Sequence, residues 1–558
     1  MDRRTSIKNL FGLQSTEIPS RKDAFSPTFN PVNSGLEPFS GNWTKTEASH
    51  LLRRTLFGPT IGQIQKAVEE GLNNTVDILL QSVNSLDPPV NFDFENDPNV
   101  PIGSSWIDMP YDSVTNYRPY RRHSFSAWLM KNIYEQETSV YEKMTLFWHN
   151  HFVTSEIHDP KFDYIYFTTI RSFALGNFRE FVKAMTINPS MLRYLNGNQN
   201  KKNSPNENYA RELLELFTIG KGEQSGPDDY TNYTEDDITA ISRILTGWKD
   251  DGYRTEKFKI ISSYFRSWAH DKNPKTLSHR FDGITIENGE ENEYAQLIDL
   301  IFGKKEVARF ISRKLYRWFV YHAIDENTEE NVIEAMADLM IESDYEIEPV
   351  LRSLISSQHF FDFINNGCLI KNPLDFIFST INSLEIDLPK SDLEAYYSSL
   401  YSVYNFSGQL QLIYGDPPSV AGWKAYYQQP SYYEIWINSV TLPSRMNFTK
   451  AMSLSGISIG GHEIKVDVFK LLEKIENPSE IDSFINQFVE LLFPQDITKN
   501  QKNYLKDFLI PGLPDYEWTV EYFNYLNNQE DENIKISMEN KLRLFISAML
   551  TMPEYYLS

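Results

Sequence analysis

Apolar residues recur at helical spacing along most of this sequence, and this periodicity constrains the fold more than any other feature. Side chains at positions i, i+3, i+4 and i+7 lie on one face of an α-helix, so the pattern predicts helices that pack one face into a core. It occurs at residues 48–56, 124–149, 162–175, 178–187, 208–219, 235–248, 294–302, 307–321, 329–343, 347–357, 466–475, 480–492, 502–509, 520–526 and 538–550. Strand patterns are confined to short stretches such as 257–263. The sequence therefore predicts a mainly α fold, with a large multi-helix globular core, long irregular loops and few short strands.

Proline and polar residues divide the chain into three predicted regions. Residues 1–40 carry four prolines among Ser, Asn and Thr, a composition that buries too little apolar surface to fold, so we predict a disordered N-terminal tail. Residues 41–385 are predicted to form a helical core domain that carries the candidate site. After a less regular stretch rich in Pro and Tyr, helical spacing resumes, which predicts a smaller C-terminal helical lobe over residues 386–558, packed on the core.

The charge balance excludes several partners. The chain has 53 Lys and Arg against 76 Asp and Glu, a formal net charge of −23, and such an acidic surface repels phosphate backbones, so no nucleic-acid partner is expected. No apolar run approaches the roughly 18 residues of a membrane-spanning helix, so no integral membrane segment is expected. Arg3 and Arg4 are similar to the start of a twin-arginine export signal, but the apolar segment of such a signal does not follow. The incomplete signal predicts a cytoplasmic protein, with a periplasmic or exported location as the alternative.

Several familiar kinds of site are absent from the sequence. Cys368 is the only cysteine, so an intrachain disulfide and a thiolate-rich metal site are both excluded. The sequence also lacks a P-loop, a dinucleotide-binding glycine pattern, a nucleophile elbow and a zincin helix. Candidate chemistry therefore depends on histidines and carboxylates.

Two histidines lie at the end of one apolar helical pattern, in the segment 143–152. On a helix, His149 and His151 point about 200° apart, which does not suit side-by-side binding of one metal ion. An extended exit from the helix brings them to one side, where they are able to chelate a metal. A role in a site and a role in capping or core hydrogen bonding both stay open.

A second polar cluster lies on the helix predicted over residues 206–220. A spacing of four places Glu207, Arg211 and Glu215 along one face. One interpretation is an exposed face held by salt bridges. The other is that Glu207 or Glu212 faces the histidines and supplies an acid/base carboxylate or a metal ligand.

A third polar cluster contains His270 and Asp271, followed by His279 and Arg280. An adjacent His–Asp pair is common by chance, but here two other polar clusters precede it. Histidines combined with carboxylates suit zinc, manganese or non-haem iron, so a divalent transition metal is a candidate cofactor.

A set of ordered motifs carries a family resemblance. The motifs are Leu51–Gly58, Phe147–Phe152, Asn206–Gly220, Leu245–Trp248, His270–Asp271, Pro417–Trp423, and Trp436–Val440 with Arg445. Together they span nearly the whole folded chain and resemble the bacterial family catalogued as domain of unknown function 1800. The resemblance implies no agreed activity. Members are often encoded beside proteins of domain of unknown function 1501, which look like the sulfatase and phosphatase superfamily, so a partner of that type is implied. Many members also have an export signal, whose apolar segment this chain lacks.

These observations lead to two hypotheses of different classes. The first is a metal-assisted, hydrolase-like enzyme that acts with a sulfatase- or phosphatase-like partner. In this hypothesis the metal ligands or acid/base groups are His149, His151 and His270. Its catalytic groups are Glu207, Arg211, Glu212 and Asp271, with the arginine orienting a carboxylate or an anionic substrate group. The second hypothesis is a noncatalytic binding or assembly protein for such a partner. The enzyme hypothesis requires the three polar clusters to meet in one pocket.

Overall fold

The computed structural model describes residues 34–83, 86–226, 228–423 and 432–558, with the backbone alone at 432–433. Most of the segments predicted to be helical are helices. The helices of the first half are α1 (Lys45–Thr55), α2 (Ile61–Leu80), α3 (Arg118–Tyr134), α4 (Tyr141–His151), α5 (Pro160–Ser172), α6 (Phe178–Thr186), α7 (Pro189–Tyr194), α8 (Glu207–Glu212) and α9 (Glu235–Ile244). The next are α10 (Glu293–Phe302), α11 (Lys305–Phe319), α12 (Glu326–Thr328), α13 (Glu334–Glu342), α14 (Ile347–Ile355), α15 (Pro373–Ser383) and α16 (Leu393–Gln409). The last are α17 (Thr441–Lys450), α18 (Val468–Leu472), α19 (Ile481–Leu492), α20 (Lys499–Leu509), α21 (Tyr516–Asn527) and α22 (Glu532–Thr551). The fold is mainly α, as the sequence predicts.

The strands of the described residues are short and pair only as antiparallel neighbours. The pairs are β1 (Gln224–Gly226) with β2 (Asp229–Tyr230), β3 (Trp248–Asp251) with β4 (Ser262–Phe265), β5 (Lys275–Thr276) with β6 (Thr285–Ile286), and β7 (Ile457–Ile459) with β8 (His462–Ile464). The strand pattern at 257–263 overlaps only the start of β4. The strands are therefore local hairpin-like additions to a helical core.

Wider turns of π-helix extend three of the helices. Leu213–Thr218 continues α8, Glu329–Ile333 joins α12 to α13, and Ala451–Ser455 continues α17. A π-helical turn inserts one extra residue per turn and is frequently found at functional sites. The first of these turns forms part of the candidate site described below.

The helix α11 shows how the sequence directs one face inward. Its apolar row Val307, Ile311, Leu315 and Phe319 is fully buried. Arginines spaced by four residues lie on another side and bind glutamates, for example Arg313 Nη1 to Glu306 Oε1 at 2.6 Å. The buried row fixes the rotation of α11 about its axis, because burying apolar area is the main favourable contribution to folding.

The described residues from Ser34 onward group as one compact unit, and one large apolar core includes side chains from Ala48 to Tyr556. Phe39 N donates to Ser356 O at 2.9 Å, and Pro38 pairs with Ser357, so folded contacts begin slightly before the predicted start at residue 41. Residues 1–33 of the predicted tail lie outside the described residues. The division into a core of 41–385 and a lobe of 386–558 stays a prediction.

The helices differ from the sequence pattern in two ways. The single pattern at 124–149 corresponds to two helices, α3 and α4, with a break after Tyr134. Other helices form where the pattern predicts none. The helix α16 is rich in Tyr and Ser, which are mediocre helix formers, and its stability comes from packing against neighbours such as α3. Local propensity alone therefore understates the helical content.

Among the described residues, no helix combines the length and the apolar character that a membrane-spanning segment needs.

Candidate functional site

A cavity of about 640 Å³ lies where α4, the π-helical turn 213–218, α11 and the loop 420–423 meet. Its apolar wall consists of Phe147, Leu216, Ile219, Phe310, Trp318, Val420, Ala421 and Trp423. Its polar lining includes Asn150, His151, Glu215, Lys221, Asn232, Glu306, Arg313, Lys314, Arg317 and His322. A mostly apolar cavity of this size with a few convergent polar groups is the usual form of a small-molecule site.

The π-helical turn presents two backbone carbonyls to the cavity's polar side chains. The last carbonyl groups of a helix have no partner within the helix and must be satisfied from outside. Here Leu216 O accepts from Lys314 Nζ at 3.2 Å, and Phe217 O lies 3.1 Å from His151 Nε2. The end of this helix therefore positions one histidine from α4 and one lysine from α11.

His151 and Lys314 form a hydrogen-bonded pair, with 2.9 Å between Nδ1 and Nζ. A carbonyl oxygen can only accept, so the Phe217 contact places the His151 proton on Nε2. His151 Nδ1 is then the acceptor and Lys314 Nζ the donor. The pair has a defined direction, from the amine to the imidazole.

The surroundings lower the pKa of both members of this pair. Burial lowers the pKa of His151 well below its usual range, and the nearby Lys314 cation lowers it further. Burial and the charge of Arg317 lower the pKa of Lys314 to about 7. Near pH 7 a large fraction of Lys314 is therefore the free amine, which is basic and nucleophilic.

Asn150 fixes the loop that closes one side of the cavity. Its Oδ1 accepts from the backbone N–H of Trp423 at 2.9 Å. Gly422, between this loop and Asn150, has φ of +84°, and a Cβ there would lie 2.2 Å from Asn150 Oδ1. Only glycine fits this close approach without strain.

We expect Gly422→Ala to lower the free energy of unfolding by about 1–3 kcal/mol, because an L side chain at this φ is strained and the new methyl group collides with Asn150. Urea denaturation measures the loss. Gly461→Ala is the matched control, since Gly461 has φ of +82° but no atom within 4 Å of an added Cβ. Equal losses of unfolding free energy in the two variants would contradict the close approach of Gly422 to Asn150.

His149 points to a different side of α4 from His151, as expected for two positions on one helix. Its Nε2 accepts from Gly415 N at 3.2 Å, and its Nδ1 lies 2.9 Å from the Tyr166 hydroxyl. Burial lowers the pKa of His149 to about 3. This ring is a neutral, hydrogen-bonded part of the core.

The helix over residues 207–218 has a face held by salt bridges, which is one of the two interpretations of this segment given above. Arg211 binds Glu235 with two hydrogen bonds of 2.8 and 2.7 Å and lies 3.9 Å from Glu207 and 3.6 Å from Glu215. Glu215 lines the cavity, whereas Glu207 lines a separate, open polar groove. Burial and the charge of Glu215 raise the pKa of Glu212 to about 7.

His270 and Asp271 lie in a third environment. His270 Nδ1 is 2.9 Å from Thr246 O, and Nε2 is 2.9 Å from Glu293 Oε1. Asp271 binds Arg243 at 2.6 Å. Burial opposes ionisation of Asp271, but the hydrogen bond from Arg243 holds its pKa below the ordinary value.

Of the residues that the sequence analysis selected as metal ligands or catalytic groups, His151 lines the main cavity. The hydrogen-bond and ring partners of His149, His151 and His270 do not overlap. Among the described residues, no group of three or more His, Cys, Asp or Glu side chains is placed to hold a metal ion. Metal binding by these histidines stays a prediction.

Lys314 is a cavity residue that the sequence patterns did not predict. The available signal was a row at spacing four on α11, namely Glu306, Phe310, Lys314 and Trp318, all of which line the cavity. This row lies beside the apolar face of the helix and mixes charged with aromatic residues. Its pairing with His151 spans 163 positions of sequence and could not be inferred from spacing.

The cavity draws residues from three of the motifs on which the family resemblance rests, 147–152, 206–220 and 417–423. The family model described as "Protein of unknown function (DUF1800)" matches residues 50–557. Comparison with curated proteins and with solved structures finds no match. Because the family model covers nearly the whole chain, this protein belongs to the DUF1800 family.

Proposed function

We propose that this protein is a hydrolase-like enzyme whose active site is the cavity of about 640 Å³ and whose general base is the Lys314 amine. One observation carries the proposal: Lys314 Nζ lies 2.9 Å from the neutral acceptor His151 Nδ1, at the wall of that cavity. A general base works best when its pKa is close to the working pH, and the pKa of Lys314 is about 7.

The hydrogen bonds of Lys314 leave its lone pair available. A neutral amine has two N–H bonds and one lone pair. The two N–H bonds have acceptors in His151 Nδ1 and Leu216 O, at 2.9 and 3.2 Å. The lone pair is then free to take a proton from a water molecule in the cavity. The hydroxide attacks an ester or amide carbonyl, and the Lys314 ammonium returns the proton to the leaving group.

The lining supports a substrate with an apolar or aromatic body. Phe147, Phe310, Trp318 and Trp423 provide flat apolar surface, and aromatic side chains favour offset or edge contacts with other rings. Lys314 lies beside His151 and feels the charge of Arg317, so the reactive carbonyl would lie at that end. The metal-assisted form of the hypothesis has less support, because its three histidines occupy separate environments.

The alternative function, a noncatalytic binding or assembly protein for a sulfatase- or phosphatase-like partner, is supported by one surface. Tyr516, Val520 and Phe523 of α21 are each at least half exposed and lie on one face at spacings of four and three residues. An exposed apolar face of this kind is typical of protein contacts. Substitution of Lys314 would leave this function intact, which separates the two proposals.

Trace acetylation of the full chain between pH 5 and 10, followed by peptide mass spectrometry, tests the proposal. Only the neutral amine reacts, so we expect the labelling of Lys314 to have its midpoint near pH 7 and to be at least tenfold faster at that pH than that of an ordinary lysine. Lys305 on the same helix is the internal control, because the hydrogen bonds that it donates to Asp338 and Glu334 raise its pKa.

Hydrolysis of a panel of aryl and alkyl esters completes this test. The Lys314→Met variant should lose any activity that the wild type shows, whereas Lys305→Met should keep it. Labelling of Lys314 and Lys305 with the same pH midpoint would refute the proposed base. Ester hydrolysis that survives in Lys314→Met would refute the proposed active site.

A further inference from the structure

A second, much smaller cavity of about 40 Å³ lies beside the main one and shares Arg317 and Trp318 with its wall. Arg53, Arg54 and Lys143 also line it, together with the carboxylate of Asp375. One water molecule requires roughly 10–15 Å³ of such space, so the cavity has room for roughly three waters or one small anion.

Positive charge is concentrated around this small cavity. The buried cations here are Arg53, Arg54, Lys143, Lys371 and Arg445, all of them less than a tenth exposed. Asp375 binds Lys143 and lines the cavity together with Ser558, and the charge of Glu490 acts on Arg53. A buried charge is costly unless an opposite charge compensates it, so this cluster has more positive than negative charge to stabilise.

Part of this charge has no partner among the described residues. Nη2 of Arg54 donates to Asn365 O at 2.7 Å, but its buried Nε and Nη1 have no hydrogen-bond acceptor among the described residues. The same two atoms of Arg445 also have none. A buried donor left without an acceptor costs about 1–3 kcal/mol, and more when it is charged.

The titration behaviour of the cluster agrees with missing negative charge. Burial lowers the pKa of Arg53 to about 9 and that of Arg445 to about 10. Burial, together with the charges of Arg53 and Arg445, lowers the pKa of Lys371 well below its usual range. An anion in the cavity would oppose these shifts, because an opposite charge favours the charged form.

We propose that the small cavity bounded by Arg53, Arg54 and Lys143 binds a tetrahedral oxyanion, phosphate or sulfate. The planar fork of a guanidinium matches two oxygens of such an ion, and Arg54, which lines the cavity, has two buried donor atoms without an acceptor among the described residues. The oxyanion is either a free inorganic ion or the charged group of a larger molecule in the main cavity. This proposal does not depend on Lys314 chemistry.

The first test measures the melting temperature of the full chain in phosphate, sulfate and chloride at equal ionic strength. A ligand that binds only the folded state stabilises it by mass action, so phosphate and sulfate should raise the melting temperature by about 2 °C or more relative to chloride. Arg54→Met should abolish this shift, and Arg54→Lys should weaken phosphate binding at least tenfold in calorimetric titration. Arg352→Met is the control, because Arg352 is a partly exposed cation of α14.

Each outcome decides the proposal or the source of the anion. Chloride that stabilises as well as phosphate, or an Arg54→Met variant with the wild-type shift, overturns the proposal. If Arg54→Met does not fold, the absence of calorimetric phosphate binding to the wild type overturns it equally. Equal binding of inorganic phosphate and phenyl phosphate identifies a free ion. Tighter binding of phenyl phosphate that is lost in Phe310→Ala, a wall residue of the main cavity, identifies a larger ligand.

Discussion

When the pH falls from 7 to 4, the free energy of unfolding should decrease by about 3 kcal/mol less in the His149→Gln variant than in the wild type. The pKa of the buried His149 is about 3 in the folded protein and near 6.5 in the unfolded chain. Between these values the unfolded state binds more protons, so stability falls as the pH falls through this window. Glutamine does not titrate and removes this contribution.

Burial makes protonation of His149 unfavourable, and its hydrogen bonds act in the same direction. Gly415 N donates to Nε2 at 3.2 Å, so a second proton on the ring would point at another donor. Urea denaturation at pH 7, 6, 5 and 4 measures the effect, and His279→Gln is the control because the His279 side chain is 65% exposed. Asp163→Asn should act in the opposite direction, since burial raises the pKa of Asp163 to about 7. An unchanged pH dependence in His149→Gln would show that the folded protein does accept the proton.

Replacing Trp148 with alanine should lower the free energy of unfolding by about 3–5 kcal/mol. Trp148 is fully buried on α4, stacks on Phe178 with 5.4 Å between ring centres and meets Phe181 edge-on at 5.2 Å. Its Nε1 donates to Ala174 O at 2.9 Å. The truncation therefore creates a cavity and also leaves a buried carbonyl without its donor.

The same helix carries His151, so the variant also tests how the main cavity is held in place. We expect Trp148→Ala to reduce the preferential labelling of Lys314, because α4 loses its principal packing contact. Trp268→Ala is the control, since Trp268 is 68% exposed and its loss should change stability by no more than about 0.5 kcal/mol. Similar losses in the two variants would contradict the central role of Trp148 in the core.

The fold class follows from local pattern because helix formation depends on spacing within a few turns. The buried row of α11 was evident in the sequence, and so was the end of the helix before Gly220, which has φ of +71°. The helix α16 was not evident, since its Tyr and Ser residues depend on packing for their helical conformation. Local periodicity therefore identifies helices that have a clear apolar stripe and misses those that neighbours stabilise on several sides.

The candidate site, too, could be predicted from the sequence only in part. The sequence identified His151 as a chemically capable residue and left open whether His149 lies on the same side of the chain or on another. It did not identify Lys314 as the partner, nor did it separate His270 from the cavity. His151 and Lys314 are 163 positions apart in the sequence. Their side chains meet only because two helices and a π-helical turn pack together.

What the sequence determined by itself is the set of helices with clear apolar faces, the absence of a disulfide, the acidic charge and the family of the chain. Only the tertiary structure decided which polar groups share an environment and which carry a proton. The physical reason is that helix periodicity is a property of neighbouring residues, whereas the pKa of Lys314 and the unmatched charge of Arg54 depend on burial and on distant partners. Those quantities exist only once the helices have packed.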